Sequence, residues 1–86
     1  MKKNVICLAG NLTITVPFEE LKSAKQFTLG FRRGVLNWDI YHEFNLENVY
    51  HRGFRLGQIM AYYCFRFNLN MDSVKAFTES EDSPKK

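Results

Sequence analysis

The chain has 86 residues and a mass of 10.1 kDa, which is room for one small domain and excludes a multidomain machine. Hydrophobic residues make up 45%, aromatic residues 15% and charged residues 24%, so there is enough apolar surface to build a core and most of the chain is not disordered. The net charge of +3 is a mild excess that permits an acidic partner without requiring one.

Residues Asn4 to Val16 read as a β-hairpin. Val5, Ile6 and Leu8 precede Gly10-Asn11, a dipeptide suited to a tight turn, and Leu12, Ile14 and Val16 then alternate with Thr13 and Thr15. Pro17 is expected to stop the strand and open a helix, with Thr15 as its cap and Glu19 and Glu20 in its first turn. Leu21, Ala24, Phe27, Phe31 and Val35 recur at helical spacing and form one apolar stripe. Leu29 falls on the polar side, and Gly34 or Asn37 would end the helix.

Between Asn37 and Phe44 the alternation is too short to decide between a third strand and a packed linker, with the linker favoured. Asn45 is the expected cap of a second helix running from Leu46 to about Phe67, whose apolar arc is wide enough for a central position. Val74 to Phe77 could add one helical turn. Thr78 to Lys86, TESEDSPKK, offers nothing to bury and is expected to be a disordered tail. The expected fold is therefore α+β: a single domain over residues 1–77 in which an N-terminal β-hairpin packs on two α-helices, followed by the polar tail 78–86.

An internal repeat is the clearest motif. Gly30-Phe31-Arg32-Arg33-Gly34 returns as Gly53-Phe54-Arg55-Leu56-Gly57, each preceded by an aromatic residue, Phe27 or Tyr50. Glycine inside a helix costs roughly 1 kcal/mol relative to alanine, so paired glycines one turn apart need a reason. Close approach of two helices at Gly30, Gly34, Gly53 and Gly57 supplies one.

All five arginines lie between Arg32 and Arg66, a stretch without lysine. Arg52, Arg55 and Arg66 share one narrow side of the second helix with Tyr62, and Arg32 and Arg33 sit on the first. Arginine and tyrosine together suit contact with phosphates and stacked bases. The same side chains also serve as an ordinary solvated face or a protein contact.

The glycine-aromatic elements resemble those of ribosome modulation factor, a pair of helices each carrying a glycine-aromatic-x-x-glycine element. The matching positions are Gly30, Phe31 and Gly34, then Arg52, Gly53, Phe54 and Gly57, within a resemblance that spans Phe27 to Ala61. The resemblance implies binding to RNA or the small ribosomal subunit and a silencing role there. This chain departs from the pattern in its N-terminal hairpin, in Phe54 where a tryptophan is more usual, and in its modest charge.

Catalysis finds little support. His42 and His51 stand in no motif with Cys7 or Cys64, no metal-ligand spacing occurs, and Ala9-Gly10-Asn11 is a turn and not a phosphate loop. No cofactor is expected. Two distant cysteines read as buried thiols. No apolar run approaches the roughly 18–20 residues that span a bilayer, and the short apolar stretch after Lys2-Lys3 does not make a secretory signal, so a cytoplasmic location is expected. The leading expectation is a small non-enzymatic regulatory protein that contacts RNA or the ribosome through Arg32, Arg33, Arg52, Arg55 and Arg66. The alternative is a phage-type inhibitor, of the kind that anti-CRISPR proteins exemplify, that blocks a host protein by direct binding. A free hairpin edge, exposed Leu29 and the aromatic surplus leave room for a homodimer.

Overall fold

The computed structural model describes residues 3–80. Strands β1 (Lys3–Ala9) and β2 (Leu12–Phe18) form the hairpin, with Ala9 paired to Leu12 across the two-residue turn. Gly10 carries a positive φ, of 62°, as a turn with glycine in its first central position requires. Two helices follow, α1 (Leu21–Leu36) and the longer α2 (Val49–Arg66), then a 3-10 turn (Met71–Ser73) and a third strand, β3 (Lys75–Ser80). The sheet order is β2-β1-β3, antiparallel throughout.

Both helices lie on one face of the sheet. Val5, Cys7 and Ala9 of the central strand point inward and are fully buried against Ala24, Phe27 and Phe31 of α1 and Met60 and Cys64 of α2. Ala76 of β3 joins the same core, paired with Cys7. The opposite face of the sheet carries Ile6, Leu8, Thr13, Thr15 and Phe77, as the two-residue period of a strand dictates.

The helices cross at their glycines. A Cβ on Gly30 or Gly34 would fall under 3.0 Å from the carbonyl oxygen of Tyr50 or Phe54, and one on Gly53 or Gly57 would meet that of Phe27 or Phe31 in the same way. The contact is reciprocal, each glycine of one repeat facing the carbonyl three residues before a glycine of the other. Glycine Cα–H groups opposite carbonyl oxygens are the close-packing arrangement that small residues permit.

Four expectations need correction. Pro17 does not end the strand: it lies within β2, paired with Asn4, because β2 is an edge strand and the N–H that proline lacks would point away from the sheet. Thr15 is accordingly a strand residue, and α1 starts at Leu21 after Glu20, whose side chain makes no capping bond. The cap of α2 is Asn48 and not Asn45, since Asn48 Oδ1 accepts the His51 N–H while Asn45 Oδ1 serves the Glu47 N–H in the preceding turn.

The fourth concerns the C-terminal boundary. Val74 to Phe77 do not continue a helix, and Thr78 to Ser80 do not belong to a tail, since Lys75–Ser80 pairs with the second edge of β1. A two-stranded hairpin is marginal alone, and the third strand completes the sheet. Thr78 turns inward beside Thr28, their hydroxyl oxygens 3.4 Å apart. The remainder of the expected tail, 81–86, lies outside the described residues.

Candidate functional site

The linker between the helices is tied to α2. Gln58 Nε2 donates to the Asn37 and Ile40 carbonyls at 2.8 and 2.7 Å. His51 Nδ1 accepts the Asn45 N–H at 2.9 Å, and Arg52 Nε donates to the Leu46 carbonyl at 2.6 Å. His42 packs edge-on against Phe54, ring centroids 4.6 Å apart, and Phe44 lies on the same ring. These ties hold Trp38 against Phe65 and Tyr62 at one end of α2 and Leu46 beside Arg52 at the other.

A groove opens where α2 stands off the edge strand. Val16 of β2, Phe27 of α1, Leu46 of the linker and Leu56 and Ile59 of α2 line a cavity of about 260 Å³, with Arg52 and Arg55 beside it. The inward row of β2, Leu12, Ile14, Val16 and Phe18, is only half-buried, whereas Val5, Cys7 and Ala9 of β1 are fully covered. From the groove the exposed surface of α2 continues through Ile59, Tyr62 and Phe65, which are 50%, 52% and 59% exposed, to Trp38.

The arginines fall into two groups. Arg52, Arg55 and Arg66 are exposed on α2, the first two at the groove on the β2 side. Arg32 turns to the other edge of the sheet, where its Nη2 donates to the Ala76 carbonyl of β3 at 3.4 Å. Arg33 is exposed on α1, where its carbonyl accepts from the Asn37 side chain and backbone. Among the described residues none of the five guanidinium groups is paired with a carboxylate. Gly30, Gly34, Gly53 and Gly57 form the helix contact and take no part in this surface.

Sequence reasoning missed the groove residues Val16, Leu46, Leu56 and Ile59. The one signal available was Ile59 itself, an apolar residue within the arginine side of α2. Among the described residues no group of three or more His, Cys, Asp or Glu side chains could hold a metal ion, and no helix is long and apolar enough to cross a membrane. Cys7 and Cys64 are free and buried. Burial pushes the Cys7 thiol up to about 11, which keeps it protonated and a poor nucleophile.

No protein family, curated protein or solved structure matches the chain.

Proposed function

We propose that this is a non-enzymatic binding protein that acts by covering part of another protein. The contact surface is the groove and the outer side of α2, and the partner presents apolar groups with carboxylates beside them. The observation that carries this is the exposed row Ile59, Tyr62 and Phe65, continuous with Trp38 and flanked by unpaired Arg55 and Arg66. Aromatic residues and arginine are the types enriched at protein interfaces and at their hot spots. An inhibitor that masks a host protein is the form of this activity a domain of such size can take. The two free, buried thiols fit a reducing compartment, so the same proposal places the protein in the cytoplasm.

The second reading is RNA or the ribosome as partner. Tyr62 lies exposed on the side of α2 that holds Arg55 and Arg66, a combination that also suits a stacked base between phosphates. The split of the arginines weighs against it, because Arg32 faces the β3 edge and Arg52 and Arg55 the β2 edge.

Capture from a cell lysate, with and without nuclease, tests the two. Under the protein reading one partner is retained after nuclease treatment by the parent and lost by Ile59→Glu, whose exposed site leaves the fold intact. Recovery that nuclease abolishes would overturn it in favour of RNA.

A further inference from the structure

The two edges of the sheet differ. Ala9 and Leu12 close a two-residue turn and therefore exchange both backbone hydrogen bonds, as does every second pair after them, Cys7 with Ile14 and Val5 with Val16. The N–H and C=O groups of Thr13 and Thr15, and the C=O of Pro17, consequently point away from the sheet. Among the described residues no backbone group bonds to them. On the opposite edge the corresponding Ala76 carbonyl is taken by Arg32. One outward carbonyl of the β3 edge is thus taken by a helix side chain, while among the described residues nothing bonds to the outward backbone groups of β2 beside the groove.

We infer that the open edge of β2 and the groove together take an extended segment of the partner as a fourth strand, one whose inward side chains are apolar and acidic. This rests on the protein-binding reading above and specifies its partner. A strand added at Thr13 to Pro17 would satisfy the outward backbone groups, and its alternate side chains would enter the space above Val16 that Leu56 and Ile59 leave unfilled. Pro17 has no N–H to offer and sets one limit of the pairing. The occupant's charge follows from Arg52 and Arg55. Arg52 spends its Nε on the Leu46 carbonyl and keeps its two terminal nitrogens, and Arg55 is unpaired, so carboxylates on the added strand meet two guanidinium groups. A second copy of this chain fits worse. Antiparallel pairing of β2 with its own copy would bring Arg52 and Arg55 of both protomers toward one axis, like charges against like.

The test selects a random peptide library displayed on phage against the full chain, then measures the enriched peptides as synthetic copies. Peptides that alternate apolar with acidic residues are expected, and on binding they slow hydrogen exchange at the Thr13 and Thr15 amides. Thr15→Pro, which copies the proline already accepted at position 17, should lower affinity about tenfold or more with an unchanged melting temperature, the loss of one or two backbone hydrogen bonds. A peptide N-methylated at alternate residues probes the same bonds without altering the protein and should bind no better. If acidic peptides bind Thr15→Pro as tightly as the parent, and tolerate N-methylation, edge pairing is wrong while the protein-binding reading stands. If no enriched peptide is sensitive to Ile59→Glu, both fail. A parent that sediments as a dimer and becomes monomeric with Thr15→Pro would show that a second copy occupies the edge, and would overturn the inference.

Discussion

Gly34 of the first helix lies directly against the backbone carbonyl of Phe54 in the second, and Gly57 lies in the same way against Phe31. Repeated glycine-phenylalanine elements are thus two halves of one contact. Glycine admits the approach; Phe31 is fully buried in the core, and Phe54, nearly as buried, packs against His42 and Phe44 of the linker. The spacing of the four glycines thus has its explanation in packing.

Gly34→Ala and Gly57→Ala should each destabilise the fold. Alanine ordinarily improves a helix by roughly 1 kcal/mol over glycine. Here its Cβ meets a backbone carbonyl at under 3.0 Å, which no side-chain rotation relieves, so the helices must separate. An overpacking cost of about 1–3 kcal/mol wins over the propensity gain. Thermal melting is expected to fall by several degrees for each variant. A melting temperature at or above that of the parent would show that the helices do not cross at these positions.

The third strand makes a sharp contrast between neighbours. Ala76 faces the core and is 3% exposed, whereas Phe77 faces the other way and is 44% exposed. Ala76→Asp buries a carboxylate without a partner and should prevent cooperative unfolding near the parent's midpoint. Phe77→Lys should change stability by no more than about 0.5 kcal/mol, as ordinary surface substitutions do. Urea denaturation of both variants checks the register. Equal losses would mean that the alternation assigned to β3 is wrong.

That strand was also the least legible element. Its inward positions Ala76 and Thr78 are small, and Lys75, Glu79 and Ser80 around them have the composition of a solvated tail. Only the need of β1 for a second partner selects it, and that need is tertiary. The hairpin was legible because Gly10-Asn11 and the alternation after it act locally. The α2 stripe was legible because eighteen residues repeat its period many times. Pro17 misled because the rule that proline ends a strand does not hold where its nitrogen faces outward. Asn45 and Asn48 carry the same capping chemistry, and sequence could not choose between them. For the candidate site, helical periodicity grouped Arg52, Arg55 and Arg66, but no local pattern says which sheet edge each helix overlooks. The separation of Arg32, and the groove above β2, follow from that placement alone.

The buried thiol makes stability depend on pH at the alkaline end. Cys7 is raised from an ordinary 9.0 to about 11 by burial. The folded state therefore holds the proton more tightly than the unfolded state. Its contribution to stability is full below about 9 and is lost as pH rises toward about 11. The urea midpoint of the parent should fall over that window, and Cys7→Ala should show a smaller fall on a lower baseline. A parent and variant with the same alkaline slope would remove Cys7 as the cause.

The linker ties predict local loosening without global unfolding. Gln58→Met keeps the size of the side chain but frees the Asn37 and Ile40 carbonyls. At about 0.5–1.5 kcal/mol per hydrogen bond, the cost is modest. Hydrogen exchange should quicken at the Ile40 amide, which donates to Asn37, while amides in β1 keep their protection. Uniform acceleration throughout the chain would show that Gln58 supports the whole fold and not the linker.

The arrangement of the arginines sets a ceiling on any interaction with RNA. Binding to a single strand weakens with salt by a slope of about 0.7 for each phosphate neutralised. Arg52, Arg55 and Arg66 share one side of α2, while Arg32 is engaged at the far edge of the sheet with the Ala76 carbonyl. Three cations on one strand give a slope of about 2. A titration of labelled single-stranded RNA across a salt series should therefore show weak binding and a slope no steeper than that, reduced further by Arg55→Gln. Tyr62→Ala should weaken whatever binding exists with little change of slope, since stacking is not ionic. A slope of about 3.5 or more would require roughly five neutralised phosphates, the number of arginines in the whole chain. That many cannot come from one side of α2, so such a result would mean that both arginine groups engage one extended RNA, and would return the ribosome to the position of preferred partner.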